Sequence, residues 1–409
     1  MKLLRRILEY VLVICIILEF NTVYTAVPII KFMVQILPVP ILLILIFMTP
    51  QHLSKNMGFI FFIFLIGSIF PVFNLNTDAY IAYIKIYIVI LPLLFIYLCQ
   101  RKKSSYENYL SLFFRYSNTM VVLAAVSVIM WLLCSILQII PMTGMYPYNW
   151  GDKALFVPSY YNIYFETQGL NLFGEWTRRN DGIFNEGPMH NMALCVALII
   201  EYFLRNKRSK KKITILVITI FTSFTTTGQM FLIALLAWHL LNSTVINRYR
   251  FLIIISLPVL IYGVYTLADM SMKFKEEASG DYSVNARTAD IENCIDAGFA
   301  NPILGVGIIQ KGDITLWKGQ KLGQSNSLFA VFACGGVYML LLYLGSLLVM
   351  PIIYFKKFRY RNWLLAMIFF LFLFTITVSF LRYLTLLFLA WGLSNLDFKR
   401  WNISQKQIS

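Results

Sequence analysis

The stretch RRNDGIFNEGPMHN, residues 178–191, places two arginines, two carboxylic acids and a histidine directly before a strongly apolar run. A guanidinium presents a planar fork that fits phosphate oxygens. A positioned carboxylate or imidazole can take a proton from a hydroxyl. Arg178 and Arg179 are therefore candidate anion ligands, and Glu186 and His190 are candidate bases. Glu186 and His190 are four residues apart, so a helix begun by Glu186 carries both on one face. The plainer role for Glu186 is to stabilise a helix N-terminus, with Pro188 in the first turn. The plainer role for His190 is structural.

A second stretch, SVNARTADIENCIDAGFANPILGVG at 283–307, has a helical pattern followed by a glycine-rich return. Ser283 or Asn285 can cap its start, Ile291 and Ile295 share a face, and Gly298 with Asn301-Pro302 ends it. Arg287 falls in the first turn and Asp290 follows three residues on, which makes Asp290 a further candidate base. An exposed pair of the two is worth little. Lys85 and Arg382 lie inside apolar runs, where a cation marks function by default and snorkelling to headgroups is the competing role. Together Arg178, Arg179, Arg287, Arg382 and Lys85 would form a local cationic pocket suited to a diphosphate. No Cys or His has metal-ligand spacing, and five of the six cysteines fall within or at the ends of apolar runs, as small hydrophobes do. Neither a metal nor a cofactor is expected.

The chain that must position these groups is 59% hydrophobic and 13% charged, against about half and about a quarter in soluble domains. It is a polytopic membrane protein by composition. Apolar runs give twelve candidate spans at 7–26, 32–49, 57–73, 80–99, 117–141, 188–204, 213–225, 228–242, 251–269, 326–350, 362–377 and 380–395. Met1–Arg6 reads as the basic start of a first span, with its N-terminus in the cytoplasm. The net charge of +16 does not signal nucleic acid. Most Lys and Arg fall in the segments that this topology places inside, including 205–212 and 356–361, as positive-inside orientation requires. That asymmetry also favours a hairpin at 213–242 over one long span. What remains outside is two long loops, 142–187 and 270–325, between helices 1–5 (1–141), helices 6–9 (188–269) and helices 10–12 with a tail (326–409). The first loop holds eleven aromatics, suited to stacking on sugar faces or to an interfacial belt.

The order Arg179-x-x-Gly182-x-Phe184-x-Glu186-Gly187-Pro188, then Arg287, Asn301-Pro302-Ile303-Leu304-Gly305-Val306-Gly307, Ser325-Asn326-Ser327-Leu328 and Gly335-Gly336, resembles the bacterial O-antigen and capsular polysaccharide polymerases. The related O-antigen ligases carry a similar set, with a histidine where this chain has Ser325. That difference favours polymerase over ligase. The resemblance covers roughly 175–350. It implies an all-α membrane fold of about twelve helices with two large external loops, GT-C-like. It also implies a metal-independent glycosyltransferase of the cytoplasmic membrane, with its site facing outside. The implied reaction transfers a growing glycan from undecaprenyl diphosphate to a lipid-linked repeat unit. The implied partners are that lipid-linked oligosaccharide, the bilayer, and a flippase and chain-length regulator of the same pathway. The alternatives are a glycan ligase and a lipid-linked oligosaccharide flippase or exporter. Flippases usually line a central pathway with charge and keep loops short.

Overall fold

The computed structural model of the chain describes residues 1–49, 83–102, 104–150, 153–172, 175–241, 282–307, 309–311, 314–322, 326–358 and 360–395. The candidate spans at 57–73 and 251–269 lie outside the described residues. Most of the described chain is helical: α1 (Lys2–Glu19), α2 (Pro28–Ile36), α3 (Pro38–Phe47), α4 (Ile84–Lys102), α5 (Ser111–Ile136), α6 (Gly187–Leu204), α7 (Lys210–Thr222), α8 (Thr226–Leu241), α9 (Tyr282–Ala300), α10 (Ser327–Lys356), α11 (Arg361–Ile376) and α12 (Tyr383–Ser394). Among the described residues, five segments are long and apolar enough to cross a bilayer: Pro28–Phe47, which joins α2 and α3, and α4, α5, α6 and α10. Helices α8, α11 and α12 are shorter but apolar.

Burial separates these helices by role. In α6 89% of the apolar window is buried, against 28% in α2–α3 and in α5. A helix that is apolar on every side belongs in the middle of a bundle or in lipid. Here α6 is the central pillar, packed against α5, α7, α8 and α11. On the outer helices Ile29, Phe32, Phe47, Val122 and Ile129 stand exposed. Such an apolar periphery suits lipid rather than water. Helix α12 packs along α4 and the distal part of α10, and Phe388 of α12 stacks on Phe370 of α11 at 3.8 Å.

The expected all-α chain is not entirely all-α. The segment between α5 and α6 folds as β1 (Gly144–Trp150), β2 (Lys153–Tyr160), β3 (Tyr164–Phe165), β4 (Gly169–Leu172) and β5 (Glu175–Arg178). Strands β1 and β2 pair antiparallel from Gly144↔Ser159 to Trp150↔Lys153, and β4 pairs β5 from Gly169↔Arg178 to Leu172↔Glu175. The physical reason lies in the side chains: aromatic and β-branched residues fit a pleated, half-buried surface. After α9, β6 (Ile309–Lys311), β7 (Ile314–Trp317) and β8 (Gln320–Lys321) form a second small antiparallel sheet.

Helix α10 is broken at Gly336, whose φ is 60° and ψ −161°. Carbonyls left free at such a break are costly away from water. The return after α9 supplies the missing donors. Val306 N–H donates to Ala333 O at 2.9 Å and Gly307 N–H to Cys334 O at 3.1 Å. On the other side of the break Val337 N–H donates to Pro302 O at 2.8 Å. Gly305 has a φ of 69°, and a Cβ there would lie 2.5 Å from Cys334 C. The glycine-rich return is a clip on a discontinuous helix.

Candidate functional site

The 178–187 segment is tied to three neighbouring elements before it enters α6. On one side it meets the chain that follows α1, where Thr22 bridges Phe184, Val23 N–H donates to Ile183 O at 3.0 Å and Asn185 N–H to Asn21 O at 3.0 Å. On another, Asn180 donates to Thr222 of α7 from both its backbone, at 3.2 Å, and its side chain, at 3.0 Å. From below, His190 on the first turns of α6 holds Asn180 O through Nδ1 at 2.9 Å and lies flat on the Phe184 ring at 5.1 Å. Gly182 (φ 59°) lets the chain turn over this imidazole, since a Cβ there would sit 3.1 Å from His190 Cε1. His190 is thus buried and bonded as a clamp on the loop.

Inside this turn sits a buried charged pair of residue types. Arg179 is nine-tenths buried, and its Nε has no hydrogen-bond partner among the described residues. Asp181 is fully buried. Its Oδ2 accepts from Thr167 Oγ1 and from Gln168 N–H, each at 2.9 Å, while Oδ1 has no partner among the described residues. Burial pushes the Asp181 carboxyl up to about 7, against the pull of Thr167, Arg179 and Gln168. Burial likewise lowers the Arg179 guanidinium from its ordinary value, and Asp181 and Glu186 counter that. Glu186 is half-buried at the N-cap of α6 and makes no side-chain cap bond there. Gly187 opens the helix with its Cα beside Asp181, where a Cβ would stand 3.0 Å from Asp181 Oδ1.

Arg178 faces away from this nest. It pairs with Glu166 at 3.5 Å, and Glu166 also accepts from Ser135 at 2.8 Å and Tyr160 at 3.1 Å. The loop aromatics divide in the same way. Tyr148, Tyr160, Tyr164, Phe165 and Phe184 are buried as packing, whereas Phe156 and Tyr161 are exposed. Tyr148 reaches the segment directly, its hydroxyl donating to Asn185 O at 2.9 Å.

Lys85 and Arg382 converge on a second cluster at the same end of the bundle, around Glu19 at the C-terminus of α1. Arg382 donates to Glu19 O at 3.2 Å and pairs with Glu19 Oε1 at 3.3 Å, and Tyr383 N–H donates to Oε2 at 3.0 Å. Lys85 is near enough to Glu19, Lys31 and Arg382 to feel their charges. A small cavity of about 40 Å³ lies between Glu19, Lys31, Gln35, Arg382 and Asn185. Asn185 therefore links the two clusters, donating from Nδ2 to Asn21 Oδ1 at 3.0 Å.

The second predicted stretch forms α9 and the return that follows it. Asp290 is half-buried on α9, close to Cys294, and the main packing partner of α9 is α10. Arg287 has helical backbone on α9, and its side chain lies outside the described residues, as does Ser325. Asn326 caps α10, its Oδ1 accepting from Leu328 N–H at 2.9 Å and Phe329 N–H at 3.2 Å. Three residues that sequence reasoning left without a role are central here: Asp181, Glu19 and Gln168. Glu19 carried a usable signal, an acid at the end of an apolar run. Gln168 carried none. The chain matches no protein-family model, no curated protein and no solved structure.

Proposed function

We propose that this chain is a glycosyltransferase of the polysaccharide-polymerase type, extending lipid-linked glycans at the outer face of a bacterial cytoplasmic membrane. The observation that carries the proposal is the buried Arg179 guanidinium, with an unpartnered Nε, next to a buried carboxyl poised near neutrality at the mouth of an apolar helix. A buried donor without a partner is costly, and a ligand anion supplies one. Perturbed titratable groups in such a place mark functional sites.

In the proposed reaction the acceptor sugar hydroxyl attacks the anomeric carbon of the growing glycan. The bond from that carbon to the undecaprenyl diphosphate oxygen breaks, and its electron pair leaves with the diphosphate. The hydroxyl proton passes to the Asp181 carboxylate, near which Glu186 lies. Arg179 stabilises the charge that develops on the leaving diphosphate, and Phe156 and Tyr161 offer exposed faces to sugar rings. The orientation follows from the basic segments at the opposite end of the bundle, which belong inside.

The test uses purified protein in liposomes with synthetic undecaprenyl-diphosphate-linked repeat units. Longer glycans and free undecaprenyl diphosphate are expected. Arg179→Ala is expected to slow turnover about 100-fold or more, as loss of one donor to developing charge does. Full activity in Arg179→Ala would sink the role given to this residue. Movement of intact repeat units across the bilayer without elongation would replace the enzyme with a transporter.

A further inference from the structure

The opposite end of the bundle holds a cavity of about 570 Å³, within the size range of small-molecule sites. It opens between α1, the start of α5 and the chain leaving α6, and Arg6, Tyr10, Arg115, Asn118, Arg205 and Lys207 line it. None of these residues belongs to the site described above.

Its back wall is pre-ordered. Glu9, fully buried, pairs with Arg115 and accepts from Tyr97 and from Ser111 Oγ, the latter at 3.1 Å. Arg115 also lies 5.0 Å over the Tyr10 ring. Glu201, also buried, pairs with Arg205 Nε at 3.0 Å, while Arg205 Nη2 donates to Asn118 Oδ1 at 2.7 Å and Phe114 O at 3.0 Å. Two guanidinium planes are thus fixed before any ligand arrives, which lowers the ordering cost of binding. Arg6 and Lys207 stand exposed at the rim. Counting Arg101 and Lys212 behind the wall, six cations face three acids, Glu9, Glu107 and Glu201.

The surface beside the cavity is apolar. Leu3, Ile7 and Ile14 of α1 are 70%, 50% and 45% exposed. They share one helical face with Tyr10, which lines the cavity. A charged mouth continuous with an apolar stripe fits a headgroup followed by acyl chains. Basic pockets between helices at the membrane surface recognise such lipids.

We propose that this cavity is a binding site for one anionic phospholipid, its phosphodiester held by Arg6, Arg115, Arg205 and Lys207 and its chains laid along Leu3, Ile7 and Ile14. The test is native mass spectrometry of the full-length protein titrated with phosphatidylglycerol, phosphatidylcholine or inorganic phosphate. The expected result is one phosphatidylglycerol retained at least 10-fold more tightly than phosphatidylcholine. The rim variant R6A/K207A, which leaves the buried pairs intact, is expected to lose most of that preference. Equal retention of the two lipids, or an unchanged preference in the variant, overturns the proposal. Binding of inorganic phosphate as tight as that of phosphatidylglycerol overturns the lipid assignment and makes the site one for soluble phosphates.

Discussion

Asp181→Asn is expected to raise stability above neutral pH while removing activity. An ordinary aspartate ionises near 4, and burial lifts Asp181 to about 7. The folded chain therefore holds this proton more tightly than the unfolded chain does. The resulting stability is fully present below about pH 4 and is lost as pH rises through about 7. The gap corresponds to about 4 kcal/mol between the two ends of that window. Asparagine cannot ionise, and its carbonyl can still accept from Thr167 and Gln168 N–H as Oδ2 does. The variant should keep across the range the stability that the parent has only in acid. Unfolding of the protein in nanodiscs, followed by tryptophan fluorescence at pH 5 and pH 8, reads this out. The parent's midpoint should fall by several degrees between the two and the variant's should fall much less. Elongation activity in the same preparation should be absent from the variant. Parallel pH curves for the two proteins would refute the buried-carboxyl reasoning, whatever the activity showed.

Gly336→Ala should cost more than about 3 kcal/mol or prevent folding, because a Cβ there meets Ile303 C and O at 2.5 Å at a φ of 60°; yield and thermal midpoint in detergent check it. His190→Gln should preserve the pH profile of turnover, whereas His190→Ala should destabilise by about 1–3 kcal/mol through loss of the bond to Asn180 O. Loss of turnover in a stably folded His190→Gln protein would instead make the imidazole part of the chemistry. Asn326→Ala should lower stability by about 1 kcal/mol through loss of the α10 cap, measurable as a shift in the denaturant midpoint.

The helices were legible where composition changes sharply at their ends. The run read as 188–204 is the helix Gly187–Leu204, because polar Asn185 and Glu186 precede Pro188 and Arg205 follows. The run read as 213–242 is two helices, α7 and α8, joined across Ser223–Thr225 with Phe224 at φ 48°. The strands of 144–178 are not legible, because their tyrosines and phenylalanines suit sugar faces or an interfacial belt as well as they suit cross-strand packing. Among the candidate residues, Arg179 and Glu186 lie near enough for their charges to interact. Asp181 was hidden by its position, since nothing local to NDG shows that Thr167 and Gln168 fold over it. Lys85 and Arg382 meet only because α1 brings Glu19 between them, a contact across more than three hundred residues of chain.

The clip on α10 bears on how the chain enters a membrane. A ribosome delivers residues 302–307 before 333–338, so the N–H groups of Val306 and Gly307 and the carbonyl of Pro302 exist before their partners on α10. Until the two meet, the broken turn at Gly336 would carry bare carbonyl groups into hydrocarbon. In the folded chain the preceding loop satisfies the Ala333 and Cys334 carbonyls that the break at Gly336 would otherwise leave bare. The two glycine segments also share one evolutionary fate. A side chain gained at Gly305 strikes the backbone of residues 333–335, and one gained at Gly336 strikes that of 303–305, so each glycine is required by the backbone of the other segment.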